Sequence, residues 1–487
     1  MREAIIEQIV TRAALHPEKA AILTPDDCIS YGEMCRLING YASCLKAKGV
    51  GRGDVVLTRA SQTIEFVILY FAVHLAGAVV CPMEENTPAA GMLKTAACVG
   101  ARFVVDSAID KTQAFCVLPR SVVKDAREFA NGALNSFPRG NELADVLFTT
   151  GTTGKSKGVA LTHETLSATA ENLSAGCGYH EDTVMVAASP LNHAHAIRHL
   201  YTTLASGGTF CLLPGMTNLK KFYQALDYPC EKLSCWLPPS ALHMLFMLSG
   251  DKLGEYADKL EFLEVSTQPL PEADKERLRR LLPKTRLLNC YGSSEFGVAC
   301  MYDFQKYPER AGCVGKATLN TTVSFVDEAR KYISATKENP GLIACSGDSA
   351  MRGYVNEAEL TRQVLSCDIV YTSDLGYQDE EGFVYVVGRQ DDVINVGGLK
   401  VAPTEVEDAA LGFAGIEDCV CVAKDHPISG RTPKLLVVMR EGMNLNTKEI
   451  RDYLLTRLES YKVPTAFEQI DAVKRTYNGK IDRKAYR

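Results

Sequence analysis

The sequence lacks several features that would each have narrowed its role. It has no basic excess: 53 Lys and Arg against 59 Asp and Glu leave a formal net charge of −6. That is the wrong sign for a nucleic-acid binder, whose affinity rests on phosphate neutralisation. It has no leader pattern, because Met1 to Ala20 carries Glu3, Glu7 and Glu18 in a mixed amphipathic helix pattern and no charged stretch precedes an apolar core. It has no unbroken apolar run of membrane length. The longest, Phe66 to Met83, is interrupted by His74, Gly77 and Pro82. It reads instead as a buried helix over Ser61–Leu75 followed by a buried strand over Ala78–Pro82, with no membrane span. It also lacks paired cysteine spacing. The 17 cysteines are many and odd in number, yet no C-x-x-C occurs and most sit in apolar runs, as Cys211 does in Thr209-Phe210-Cys211-Leu212-Leu213. They read as small buried hydrophobes of a reducing, cytoplasmic compartment, with no disulfide framework or zinc site.

What is present fits a soluble enzyme of about three domain-sized units, with 487 residues, 46% hydrophobic and 23% charged. Short apolar runs alternate with helical patterns from residue 20 to about 385, as at Asp54–Leu57, Ala101–Val105 and Thr183–Ala187, which predicts α/β layers. Denser turns and shorter strands between Asp303 and Val387 suggest a more antiparallel subdomain. A polar break follows at Gly388-Arg389-Gln390-Asp391-Asp392. Beyond it the spacing predicts strands Asp418–Ala423 and Lys434–Met439 and a helix Thr447–Leu458. That helix has Ile450, Tyr453, Leu454 and Leu458 on one face, with Asn446 as cap and Glu449 three residues on. The expected fold class is α/β: a large N-terminal domain of layered α/β subdomains (1–388) plus a small mobile α+β C-terminal domain (389–487), hinged at 388–392.

The chemistry starts at Leu147-Phe148-Thr149-Thr150-Gly151-Thr152-Thr153-Gly154-Lys155-Ser156-Lys157-Gly158-Val159. Glycines let successive backbone N–H groups turn toward one point, and the threonine hydroxyls and lysines add donors and positive charge, so the loop suits a phosphate. A P-loop NTPase signature fails at its opening glycine, where Thr149 stands. A plain flexible surface loop is the other alternative. Four more segments stand out: Asn289-Cys290-Tyr291-Gly292-Ser293-Ser294-Glu295-Phe296-Gly297, Tyr371-Thr372-Ser373-Asp374-Leu375-Gly376, Gly388 through Val401, and Arg475-Thr476-Tyr477-Asn478-Gly479-Lys480.

Together, in this order and spacing, they resemble the adenylate-forming superfamily of acyl- and aryl-CoA synthetases, peptide-synthetase adenylation domains and firefly luciferase. The resemblance covers nearly the whole chain, from Tyr31-Gly32-Glu33 through Ala76-Gly77-Ala78-Val79 to Lys480. It implies that Thr149, Thr150, Gly151, Thr152, Thr153, Gly154 and Lys157 grip the β- and γ-phosphates of ATP. It implies that Glu295 binds Mg²⁺, that Ser294 faces the α-phosphate, and that Tyr291 and Gly292 lie at the adenine. Asp374 would hold the ribose hydroxyls, Arg389 the ribose or phosphate side, and Lys480 would bridge the substrate carboxylate and the α-phosphate. Asp391 matches the hinge, and Gly397 and Gly398 would face the thiol tunnel. His193 aligns with a gating position beside the carboxylate. The implied reaction forms an acyl-adenylate and then passes the acyl group to a thiol.

The departures from the family pattern are specific. Leu342 stands where an acid is customary, Ser373 where a glycine is usual, and Ser266-Thr267-Gln268-Pro269 where a small Gly-Gly-Ala stretch borders the acyl pocket. Bulkier Thr267 and Gln268 should narrow or polarise that wall and disfavour long alkyl acids. His193, His195 and Arg198 are expected to offer donors near the pocket mouth, while His195 and His199 could equally be structural. No acid in Pro190–His199 is placed to hold an α-ammonium group. Three functions stay open: an acyl- or aryl-CoA synthetase for a small to medium acid, using coenzyme A; a free-standing enzyme loading the phosphopantetheine of a carrier protein; and a nucleotide-binding protein without ligase activity.

Overall fold

The computed structural model describes residues 2–106, 109, 115–118, 136–150, 156–216, 218–397, 399–427, 429–476 and 480–486, without the side chains of 150 and 156. Among these residues the strands form three sheets, of fourteen, seven and five strands. The largest has a parallel half, in the order Ala20–Leu23, Thr209–Leu212, Val184–Ala187, Leu233–Leu237, Leu260–Val265 and Arg286–Ser293. These strands are nearly all apolar, as expected when helices cover both faces of a parallel sheet. From Arg286–Ser293 onward the pairing turns antiparallel, through Gly297–Asp303, Cys313–Ala317, Val384–Arg389, Ile369–Gln378, Gly341–Ser346 and Thr322–Val326. The dense turns of residues 303–387 therefore build the antiparallel half of this sheet.

The seven-stranded sheet carries Val55–Ala60, Val79–Glu84 and Phe103–Val105 in parallel, then the antiparallel pair Leu143–Thr150 and Ser156–Thr162, and ends in the short strand Gly353–Tyr354. Helices Ile5–Leu15, Tyr31–Ala47, Ile64–Leu75, His163–Leu173 and Ala194–Ala205 fill the space between the two large sheets and form the main core with them. The run read from sequence as a helix over Ser61–Leu75 starts three residues later. Thr63 is its cap, accepting from the Phe66 amide, and Ser61 bonds the Thr63 hydroxyl. The Thr63 hydroxyl competes for the backbone there, and such residues favour a cap over a helix interior.

The five-stranded sheet belongs to the last hundred residues, with Ile416–His426 and Gly430–Met439 as its long antiparallel pair. It buries its own core of Ile394, Val406, Cys419, Leu435, Ile450 and Leu454. The helix expected over Thr447–Leu458 ends at Leu455. Leu458 still packs into the core, because its amide continues to the Leu454 carbonyl through a turn. No helix among the described residues is long and apolar enough to cross a membrane. No disulfide links the cysteines, most of which are buried.

One buried polar contact anchors the strand that leads to the threonine-rich loop. Asp145 is fully buried; it accepts from the Tyr70 hydroxyl at 2.7 Å and lies 2.9 Å from His74 Nε2. Asp145→Ala should strand both groups, each at a cost of about 1–3 kcal/mol. Calorimetry should find the main transition lowered by about 4 °C or more; an unchanged transition would show that the contact carries no stability.

Candidate active site

The expected site is built around one hairpin. Strands Arg286–Ser293 and Gly297–Asp303 pair antiparallel, with the Ser294–Phe296 turn between them. A Cβ at Gly292 would stand 1.9 Å from the Gly297 carbonyl oxygen, and Gly297 itself has φ +69°. Only glycine satisfies both demands, so the turn is tight and presents Glu295 at a fixed place. The Glu295 carbonyl accepts from the Met351 amide at 2.8 Å. Its carboxylate accepts from the Tyr354 hydroxyl at 2.8 Å, and the Lys157 ammonium lies 5.2 Å from the centre of the Tyr354 ring. Tyr354 thus ties the acid of the hairpin to a lysine of strand Ser156–Thr162.

Beside it, strands Ile369–Gln378 and Val384–Arg389 put Asp374 opposite Arg389 in register. Arg389 Nε lies 3.2 Å from Asp374 Oδ1, and the Tyr291 hydroxyl donates to Asp374 Oδ2 at 2.7 Å. Burial, then the Asp374 charge, pushes the Tyr291 phenol well above its usual range, so it remains a donor. A carboxylate has about four lone-pair sites, which leaves Asp374 acceptor capacity. Ser373 also has a role here, with its hydroxyl 3.4 Å from Arg389 Nη1.

Lys480 comes to this cleft from the small domain. Desolvation lowers its pKa and Arg389 lowers it further, while Asp374 and Glu295 oppose both. The side chain keeps surface open to solvent. His193 is lowered by burial and then by the Lys480 charge, and His195 is held well below its usual value. The chain therefore brings Lys480, Glu295, Asp374, Arg389 and His193 into one electrostatic neighbourhood.

Behind His193 lies a buried polar network. Helix Ala194–Ala205 projects His195, Arg198 and His199 toward Trp236 and strand Leu260–Val265. Trp236 stacks on His195 at 5.7 Å and on His199 at 5.3 Å. The Ser266 hydroxyl donates to Glu264 Oε1 at 2.6 Å and takes Trp236 Nε1 and His195 Nε2, both at 3.1 Å. The hydroxyl has one hydrogen and gives it to Glu264, so this geometry assigns the proton of His195 to Nε2. Glu264, fully buried, lies 3.2 Å from Arg198 Nη2 and 3.3 Å from His199 Nε2, and Tyr179 closes the chain 2.6 Å from His199 Nδ1. Burial would raise the Glu264 carboxyl, but His199, Arg198 and Ser266 hold it below its usual value.

The expectation that Arg198 offers a donor at the pocket mouth is corrected here: it is 3% exposed and committed to Glu264. His195 is likewise bonded to Ser266. A cavity of about 20 Å³ lies between Arg198, Thr169, Ser293 and Ser294, room for about one water. Thr267 has φ +90°. A β-branched side chain there is a true outlier, at the stretch where glycine was expected.

Thr149 and Thr150 end strand Leu143–Thr150 and face Lys157 and Ser156 across the pair. The loop therefore joins two antiparallel strands, unlike the strand-to-helix turn of a P-loop NTPase. Gly151, Thr152, Thr153, Gly154 and Gly398 lie outside the described residues. Gly397 has φ +58° and donates its amide to the Ser429 carbonyl. Asp391 is exposed in the turn just after strand Val384–Arg389. Sequence reasoning missed Tyr354, Trp236 and Glu264. An acid in the fully buried part of strand Leu260–Val265, whose other acid, Glu261, is only partly buried, was the one available signal for the last.

Comparison with known proteins agrees with this geometry. The model of the AMP-binding enzyme family matches residues 9–355, and that of the AMP-binding enzyme C-terminal domain matches 405–480. The chain belongs to the AMP-binding enzymes of the adenylate-forming superfamily. It is 27% identical to a feruloyl-CoA synthase of Amycolatopsis sp, over 97% of this chain and 96% of that one. It is 24% identical to surfactin synthase subunit 2 of Bacillus subtilis (strain 168), over 96% of this chain but 13% of that protein. The fold matches ATP-bound MatB from Rhodopseudomonas palustris with a TM-score of 0.88 at 22% identity, covering 100% of this chain and 98% of that one.

The buried network has a pH signature. Burial, opposed by Glu264 and reinforced by Arg198, takes His199 down to about 4. A histidine depressed from 6.5 on folding binds fewer protons in the native state. Its contribution is present above about pH 6.5 and is lost as the pH falls toward about 4. Depressed Glu264 loses stability on the same acid side. Stability to urea should therefore decline across that window, and ¹³C-labelled histidine spectra should show His199 neutral at pH 5.5. A His199 midpoint near 6.5 would contradict the network.

Proposed function

We propose that the protein is an AMP-forming acid–thiol ligase: an acyl- or aryl-CoA synthetase that activates a small to medium carboxylic acid as its adenylate and passes it to coenzyme A. The observation that carries the reading is the pairing of Asp374 with Arg389 at 3.2 Å and of Glu295 with Tyr354 at 2.8 Å in one cleft, with Lys480 in their electrostatic neighbourhood. Thr149, Thr150 and Lys157 flank the loop that would hold the β- and γ-phosphates of ATP, and Gly151, Thr152, Thr153 and Gly154 complete it. Tyr291 and Gly292 would border the base, Asp374 would accept from the ribose hydroxyls, and Ser294 would donate to the α-phosphate.

Glu295 fits a magnesium ligand. It is a carboxylate oriented by Tyr354, and no group of three or more His, Cys, Asp or Glu that could hold a metal occurs among the described residues. Mg²⁺ needs only one or two protein carboxylates when substrate phosphates supply the rest. When bound, it neutralises phosphate charge. Lys480 then has a defined task. As the acid's carboxylate attacks the α-phosphorus and pyrophosphate leaves, its ammonium stabilises charge on both reacting groups. His193, uncharged at neutral pH, adds no competing cation beside the carboxylate. Rotation about Asp391 would then withdraw Lys480 and bring Gly397 and Gly398 toward the thiol. Loading of a carrier protein is the second reading, favoured by the similarity to surfactin synthase subunit 2.

The acid is proposed to be aromatic or polar and short. The network behind His193 is electrically balanced, with Glu264 against Arg198 and neutral histidines. It offers Trp236 and hydroxyls where a long alkyl tail would need an apolar tunnel worth about 0.8 kcal/mol per methylene. The deciding experiment is ATP–pyrophosphate exchange over a panel of carboxylic acids, followed by product analysis with coenzyme A or with a phosphopantetheinylated carrier protein. Exchange with benzoate or cinnamate-type acids above palmitate supports the reading, and palmitate turning over fastest overturns the size argument. Thr267→Gly with Gln268→Gly should admit longer acids. Thr267→Gly alone should also stabilise by about 1 kcal/mol or more by releasing backbone strain; a lower melting temperature would count against that strain.

A further inference from the structure

Helix Glu272–Leu281 of the large domain begins after Pro271, which provides no side-chain cap. The missing acceptor comes from the other domain: Asp408 Oδ1, on helix Pro403–Leu411, accepts from the Glu272 amide at 3.0 Å. We propose that Asp408 is a positioning residue that caps this helix across the domain boundary and so holds the small domain in the arrangement in which Lys480 reaches the cleft.

The mechanical link runs through a single helix. Glu407, next to Asp408, takes Arg483 in a two-point pair, at 2.6 Å and 2.7 Å, and also accepts from the Cys421 amide at 2.7 Å. Arg483 follows Lys480 by three residues, and the segment is closed by the Thr476 amide on the Lys480 carbonyl at 2.7 Å and the Asp482 amide on Lys474 at 2.9 Å. One face of helix Pro403–Leu411 therefore grips the segment that carries Lys480, and an adjacent residue grips the large domain. Bidentate pairs of this kind fix orientation as well as distance. A second contact crosses the boundary at Lys400, whose ammonium lies 3.4 Å from the Pro340 carbonyl.

The chemistry of the cap fits a reversible joint. An acid at a helix N-terminus meets an unpaired amide and the positive end of the helix dipole. Burial pushes the Asp408 carboxyl up to about 6, against the Glu272 amide, so at neutral pH it is ionised and the bond is charge-assisted. Lys275 balances the neighbouring acids Glu272 and Asp274, with its ammonium 2.7 Å from Glu272 Oε1. Undocking returns the carboxylate to water and costs one cap, a small enough term for a domain that must rotate each turnover. The inference rests on the two-step reading proposed above.

The test compares the full-length protein with Asp408→Ala, Asp408→Asn and Lys480→Ala. In Asp408→Ala the Glu272 amide should exchange with deuterium roughly three- to thirtyfold faster, the population change a lost cap produces. In Asp408→Asn, whose side-chain oxygen still accepts, it should stay near wild type. Amides of strands Ile416–His426 and Gly430–Met439 should be unchanged, which separates undocking from unfolding. With benzoate or 4-coumarate and their synthetic adenylates, pyrophosphate exchange should fall by a similar factor in Asp408→Ala, while thioester formation from the supplied adenylate is retained. An unchanged Glu272 amide, or both half-reactions falling together in Asp408→Ala alone, overturns the proposal. If Lys480→Ala also fails to separate the half-reactions, the two-step reading is what fails, and the exchange data still decide whether Asp408 docks the domain.

Discussion

Placing an ammonium group in a partly desolvated cleft near an arginine is unfavourable, and the position of Lys480 depends on what offsets that. Desolvation and Arg389 both push its proton off, while Asp374 and Glu295 pull the other way. The cleft thus sets a cation near two carboxylates that are themselves committed, Asp374 to Tyr291 and Arg389 and Glu295 to Tyr354. A polyanionic nucleotide entering such a site meets positive charge already oriented. Preorganised charge of this kind is the largest single contribution in many enzymes.

Everything around that lysine serves to fix the framework it docks against. The Gly292–Gly297 hairpin leaves Glu295 little room to move, because a side chain at Gly292 would collide with backbone. Asp145 pins strand Leu143–Thr150, which leads to the threonine-rich loop. The network of Glu264, Arg198, Ser266 and Trp236 holds helix Ala194–Ala205, whose first turn carries the pocket histidines. A buried ion pair of this sort is costly to break from one side. Glu264 also accepts from the Ser266 hydroxyl, which in turn takes the Trp236 indole and His195, so the pair sits in a connected buried floor.

Much of this was legible in the residues. Alternating apolar runs announced the layers. Tyr291-Gly292-Ser293-Ser294-Glu295, Asp374, Arg389 and Lys480 are each weak signals alone and could be picked out only because their segments, in that order and spacing, resemble the adenylate-forming superfamily. What stayed hidden did so for physical reasons. Strand Leu260–Val265 is buried on both faces, so no alternation marks Glu264 as different, and its partners come from a helix some 66 residues away. Arg198 looked like a pocket donor because sequence does not reveal that an acid already satisfies it. The strain at Thr267 depends on a backbone angle that only the folded loop imposes. Helix ends moved wherever a threonine preferred to cap, as at Thr63. Asp408 on an amphipathic helix reads as a solvated charge until the other domain is placed against it.

The central claim is that the acid's own carboxylate attacks the α-phosphorus of ATP while Lys480 is in the cleft. Isotope transfer tests it most directly. With the accepted acid labelled by ¹⁸O in its carboxylate, a full turnover should leave one ¹⁸O in the phosphate of AMP, read by mass spectrometry or the ³¹P isotope shift. Lys480→Ala should suppress that transfer. Label appearing in inorganic phosphate with ADP as the other product, or AMP released without label, would contradict the account.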